Sequence, residues 1–255
     1  MTLVSTLAPA YRGARRNSAA LFAGFAAAIV AVSPAAAQKA EPGAYAVART
    51  GVQIDSDVKP TQVLAKGQTV AKTTPTLPKN IDHDGGFTGE LGMGYDFGGL
   101  RVEGTAGYDT AKVNAKALST KTYSGAGRTK SFDLGVAAYV DLVREGPLKP
   151  FVGGGIGASR VDYSISRLMI DKTPGTQKPM VGIMGKDWGI RWHLDAGASY
   201  DVTPQTAIEV LGRYSQTTGL RMKGTAIDEN LVPQTMDYKL KNTSVSIMAG
   251  IRQKF

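Results

Sequence analysis

Hydrophobic and polar positions alternate along most of this chain with a period of two. Counting back from Phe255, the residues Gln253, Ile251, Ala249, Ile247 and Val245 form a largely apolar series, while Lys254, Arg252, Gly250, Met248, Ser246 and Ser244 are polar or small. A strand turns successive side chains to opposite faces, so this segment predicts one apolar and one wet face. Seven more segments alternate upstream: 43–54, 86–97, 100–112, 130–142, 151–165, 188–201 and 206–218. In the fourth, Phe132, Leu134, Val136, Ala138, Val140 and Leu142 oppose Ser131, Asp133, Gly135, Ala137, Tyr139 and Asp141. The first segment, 43–54, has the weakest pattern.

The connections alternate as well. Those at Gly98-Gly99, around 143–150 and at Thr203-Pro204-Gln205 are short, whereas 55–85, 113–129, 166–187 and 219–242 are long and polar. A soluble sandwich has no reason to gather every long loop at one end. Outer-membrane barrels do so, with short periplasmic turns, long external loops and an even strand number. Aromatic positions agree: on the outward parity, Phe97, Tyr200 and Phe255 fall at one end of the strands and Phe87, Tyr108 and Trp188 at the other, as two interfacial belts require. The fold predicted is all-β: an eight-stranded antiparallel up-and-down transmembrane β-barrel with four long external loops and three short periplasmic turns.

The first 37 residues read as a cleaved export leader, leaving 38–255 as one barrel domain. Arg12, Arg15 and Arg16 form a basic start, 19–32 is apolar, and Ala35 and Ala37 are the small residues that a signal peptidase needs before Gln38. The apolar run is too short, at about 14 residues, to anchor in a bilayer. Removing the leader lowers the formal charge from +9 to +6, because it carries three arginines and no acid. There is no cysteine, hence no disulfide framework and no thiolate chemistry. After the leader no apolar run is long enough for a membrane helix.

Three stretches, Gly-Tyr-Asp-Phe at 94–97, Phe-Val-Gly-Gly-Gly-Ile-Gly-Ala at 151–158 and Ala-Gly-Ile-Arg-Gln-Lys-Phe at 249–255, resemble the small outer-membrane barrels that include the opacity proteins and the barrel domain of outer membrane protein A. The resemblance covers 43–255 and implies secretory export to the cell outer membrane. It also implies a terminal strand, ending on Phe255, that the barrel-assembly machinery reads. One departure is that no peptidoglycan-binding domain follows Phe255 in this sequence.

The inward parity carries Glu90, Arg101, Glu103, Asp109, Asp133, Arg191, His193, Asp195, Glu209, Arg213 and Arg252. Isolated charge is too costly to bury, so these predict a paired lumen network. Counting heights from the strand ends suggests Glu209–Arg252 as a low pair and Asp195–Arg213 as a middle one. An eight-stranded interior is filled by side chains, which favours a salt-bridge plug over an ion pathway. No catalytic residue, metal site or cofactor is expected: His83, in Asp82-His83-Asp84-Gly85-Gly86, reads as a hydrated loop turn, and His193 as part of the lumen network. A basic external loop with Lys116, Lys121, Arg128 and Lys130, and without an acid, suits phosphates. Expected partners are outer-membrane lipid, lipopolysaccharide and a host or surface ligand, with no nucleic acid. The function expected is that of a structural and surface-interaction protein; the alternative is a small-solute channel. Intact-mass measurement of protein from outer membranes should find Gln38 as the mature N-terminus; a retained leader would remove the export argument.

Overall fold

The computed structural model describes residues 42–63, 77–119, 123–169, 180–227 and 233–255, so the leader expected at 1–37 lies outside the described residues. Eight strands follow in chain order: β1 Gly43–Val63, β2 Ile81–Asp96, β3 Leu100–Val113, β4 Tyr123–Asp141, β5 Leu148–Met169, β6 Met180–Asp201, β7 Thr206–Ile227 and β8 Pro233–Lys254. Each pairs antiparallel with the next, and β8 pairs with β1, closing the barrel. Closure matters because backbone polar groups find no other partners in hydrocarbon.

The three short turns stand where the sequence puts them. At the first, Gly98 and Gly99 have φ of 88° and 113°, the left-handed values that glycine alone adopts without penalty. Asp96 Oδ1 accepts their two N–H groups at 2.9 and 3.1 Å.

The outer ends differ from expectation. Much of what reads as long loop is strand: β1 runs on to Val63, β4 starts at Tyr123, and β7 and β8 extend to Ile227 and back from Pro233. A strand of 22 residues measures about 70 Å at ~3.3 Å per residue, far more than a core of about 30 Å needs. The barrel therefore continues into the outside medium as a β-sleeve.

In β1, β2 and β7 the sequence hides the sleeve because parity inverts at its base. Register slips occur at Gln53/Asp55 in β1, Asp84/Gly86 in β2 and Thr217/Leu220 in β7, and the β6–β7 ladder slips between Ile183 and Ile190. An extra residue in one strand sends every later side chain to the other face. Below the slips the outward face is apolar, as with the exposed Leu91, Met93, Val136, Leu194 and Ile247. Above them the outward face carries Lys59, Arg221, Lys223, Lys239 and Lys241. The interior of the sleeve is apolar instead, with Val58, Ile81, Val161, Ile183, Leu220, Met222 and Leu240 packed together. A one-turn helix, α1 (Ala115–Leu118), sets Leu118 against the same cluster.

A sleeve with its own core should resist proteolysis. Trypsin added outside folded protein should spare the bonds after Arg128, Arg221 and Lys239, as read by peptide mass. Cleavage there as fast as in urea-unfolded chain would mean that these segments are loops after all.

Candidate functional site

Below the sleeve the lumen is filled with charge. Its hub is Arg49 of β1, which β1's alternation points inward beside Tyr45, Val47 and Gln53. The guanidinium donates to Glu90 at 2.9 Å, to both oxygens of Glu103 at 2.7 and 2.8 Å, and to Glu209 at 3.0 and 3.1 Å. Arginine's planar fork makes such multiple pairing possible; a lysine could not span three carboxylates in this way. The side chains of Arg49, Glu103 and Glu209 are wholly shielded from solvent. Glu209 also meets Arg101 at 2.9 Å and Arg252 at 3.3 Å, and the Tyr45 hydroxyl donates to Glu103 at 2.9 Å.

A second tier lies above. Arg213 donates to Glu90 at 2.6 Å and to both oxygens of Asp195 at 2.8 Å. Asp195 further accepts from the Tyr139 hydroxyl at 3.0 Å and lies 3.2 Å from His193 Nδ1. Glu90 thus joins the tiers through Arg49 and Arg213. The Tyr139 ring lies across the gap between tiers, with the guanidinium carbons of Arg49 and Arg101 5.3 and 5.2 Å from its centroid. That ring fits because β5 is bare behind it: a Cβ on Gly153 would come within 2.2 Å of Tyr139, and one on Gly155 within 2.2 Å of His193. The glycine run at 153–155 is therefore a recess for two lumen side chains.

The third tier is Arg191, which pairs with Asp109 and, at 2.6 Å, with Asp133. Beside it is a cavity of about 30 Å³ bordered by Glu90, Asp109, Asp133, Arg191 and His193, room for a water or two. Arg191 also donates to the Ser215 hydroxyl at 3.1 Å, which meets that of Ser244 at 2.8 Å; above this tier the apolar interior of the sleeve begins.

The model of the outer membrane protein beta-barrel domain matches residues 23–252. The chain belongs to that family. It is an outer-membrane barrel, and the polarity of short and long connections puts the turns on the periplasmic side. A curated relative from Brucella abortus, an uncharacterized protein, is 30% identical over 152 residues, 53% of this chain and 53% of that one. The match thus spans about half the length of that relative. A protein of Gluconacetobacter diazotrophicus named outer membrane protein is 30% identical over 160 residues, 60% of this chain and 39% of the relative. Among solved structures, Neisserial surface protein A aligns at 18% identity and a TM-score of 0.43, over 87% of this chain and 100% of its own.

The structure brings Glu90, Glu103, Asp195, Glu209, Arg213 and Arg252 into one connected network, with Arg191 in the tier above. The Glu209–Arg252 and Asp195–Arg213 pairs lie at 3.3 and 2.8 Å. Three placements differ from the sequence reading. His83 is not a hydrated loop residue: the slip at Gly85, whose φ is 51°, turns it inward. It is buried between the Ser56 carbonyl at 3.3 Å and the Thr129 hydroxyl at 2.8 Å. Desolvation holds its pKa below the usual 6.5, partly opposed by the Ser56 contact and by Asp57, Asp82 and Asp84. The basic loop is also no single loop: Arg128 and Lys130 lie on β4 facing outward, Lys116 is on α1, and Lys121 falls outside the described residues. The third concerns Arg49, which the sequence reading missed altogether. A signal was present, since the inward set held six carboxylates and four arginines, an imbalance that calls for another cation. Phe255 lies exposed at the strand ends, its N–H donating to the Ala44 carbonyl at 3.1 Å.

Removing one partner from a buried ion cluster strands the others. Arg49→Met should lower stability by roughly 3–5 kcal/mol, read as a shifted urea midpoint of the vesicle-folded barrel. Tyr45→Phe should cost about 1 kcal/mol. An unchanged midpoint for Arg49→Met would show that the three glutamates do not depend on it.

Proposed function

We propose that this protein is a closed outer-membrane barrel that acts as a structural scaffold, with the sleeve as a rigid interaction surface for the molecules around it. The observation that carries this reading is the double seal. Ion pairs fill the interior within the membrane, and apolar side chains fill it outside. A permeant ion would have to displace pairs held on arginines by several contacts each, then cross a dry segment that offers no coordinating group. Such a barrel has nothing to conduct through, so the selected surface is its outside.

The sleeve suits this role because interaction residues carried on paired strands are held more precisely than on loops. The small-solute channel makes the opposite prediction about current. Purified barrel in planar bilayers should give no unitary conductance steps above the bare membrane, and a deletion strain should take up small hydrophilic solutes at the parental rate. Regular current steps that vanish with Arg213→Ala or Glu90→Ala would overturn the closed-scaffold reading.

A further inference from the structure

The outward face just above the membrane on β3–β6 carries more cations than acids. Lys112 of β3 stands directly opposite Arg128 of β4 in the ladder. Like charges placed so are destabilising, and among the described residues no carboxylate forms an ion pair with either one or with Lys130. Two acids stand beside them in the ladders: Asp84 of β2 opposite Lys112, and Asp162 of β5 opposite Lys130, the latter engaged by Lys186 of β6 at 3.2 Å. Lys112, Arg128, Lys130 and Asp162 border an open groove of about 490 Å³, whose other walls include the hydroxyl residues Ser164 and Ser166. The groove has cations for an anion's charge and hydroxyls for its oxygens, in the manner of phosphate recognition.

Depth identifies the source of the phosphate. Tyr108 and Phe132 face each other one ladder step below, and Arg160 stands between Phe132 and Trp188. All three rings are exposed and mark the lipid–water boundary. Lys130 is two residues above Phe132 and Arg128 four, which in tilted strands places them about 5 and 10 Å above that boundary. Headgroup phosphates of the outer leaflet occupy this layer. On the far side of the barrel Arg221 also faces Lys239, but Asp237 and Asp55 interleave there and Asp57 lies 3.6 Å from Lys59.

We infer that the groove of Lys112, Arg128 and Lys130 is a binding site for the phosphorylated headgroup of lipid A, held in place by the lipid's own membrane insertion. The inference rests on the sleeve being an interaction surface. The two fail separately, since current steps would sink the scaffold reading without altering lipid affinity.

The test uses the full barrel, folded in detergent, with bisphosphorylated lipid A and with the same lipid stripped of both phosphates. Retained lipid is counted by native mass spectrometry and affinity by titration. The wild-type barrel should prefer the bisphosphorylated form at least tenfold. K112Q/R128Q/K130Q should lose that preference, while K112R/R128K/K130R keeps it. K59Q/K239Q/K241Q, which removes the same charge from the far side, should change affinity less than twofold. Heat-modifiability gels establish that each variant is folded. Equal loss in both glutamine triples would overturn the site in favour of diffuse rim charge. Displacement of lipid A by millimolar inorganic phosphate would overturn the headgroup as its source, and so would equal affinity for a soluble sulfated polysaccharide.

Discussion

Arg49 is held by three glutamates from three other strands, and the membrane-embedded half of the barrel is arranged around that grip. A charge inside a narrow barrel has no bulk water to retreat to, so each one must be met by another or by an oriented dipole. Eight strands leave an interior of side-chain width. One guanidinium that satisfies Glu90, Glu103 and Glu209 therefore fixes the rotation of β1 against β2, β3 and β7 at once. Register errors in such a sheet would bring lipid-facing residues inward and leave these acids unmatched. The network thus contributes specificity of pairing, whatever its net contribution to stability.

The two storeys of the barrel solve opposite solvent problems with one continuous sheet. Within the membrane the outside must be apolar and the inside carries the polar groups; in the sleeve the outside meets water and the inside is a dry core. In β1 and β2 the bulges at Gln53/Asp55 and Asp84/Gly86 make that exchange within a residue or two, whereas β8 makes it by composition alone, from Ser244 and Ser246 to Leu240, Tyr238 and Met236 on one inward face. Where glycine takes part it is because the slip demands it, as at Gly219 with φ of 85°.

This arrangement explains which features could be read in the sequence. Strand number, antiparallel order, the short turns and the lipid-facing parity were legible, because a dozen alternating residues such as 130–142 leave few alternatives. The inward acids and arginines of β2, β3, β6, β7 and β8 were legible for the same reason. Arg49 was not, because its outward neighbours Ala46, Ala48 and Thr50 are small while Tyr45 and Val47 share its inward face, so the contrast between the two series is faint. The sleeve was not legible either. Above a bulge the strand continues with its polarity exchanged, and a stretch such as Gly219-Leu220-Arg221-Met222-Lys223 then looks like a loop with scattered apolar residues. His83 was misplaced by the same slip, since no local pattern announces that Gly85 interrupts the count.

The outward cations of the sleeve also constrain how the chain reaches its place. Lys59, Lys112, Arg128, Lys130, Arg160, Lys186, Arg221, Lys223, Lys239 and Lys241 are all exposed on the far side of the bilayer, yet the polypeptide arrives from the periplasm. An arginine or lysine on a barrel's lipid face costs roughly 2–4 kcal/mol at the midplane. Threading ten of them through lipid on preformed strands would raise a barrier of tens of kcal/mol on the same scale. The sleeve must instead pass through a hydrated passage as hairpins and acquire its apolar interior only on emerging. Translocation then precedes closure.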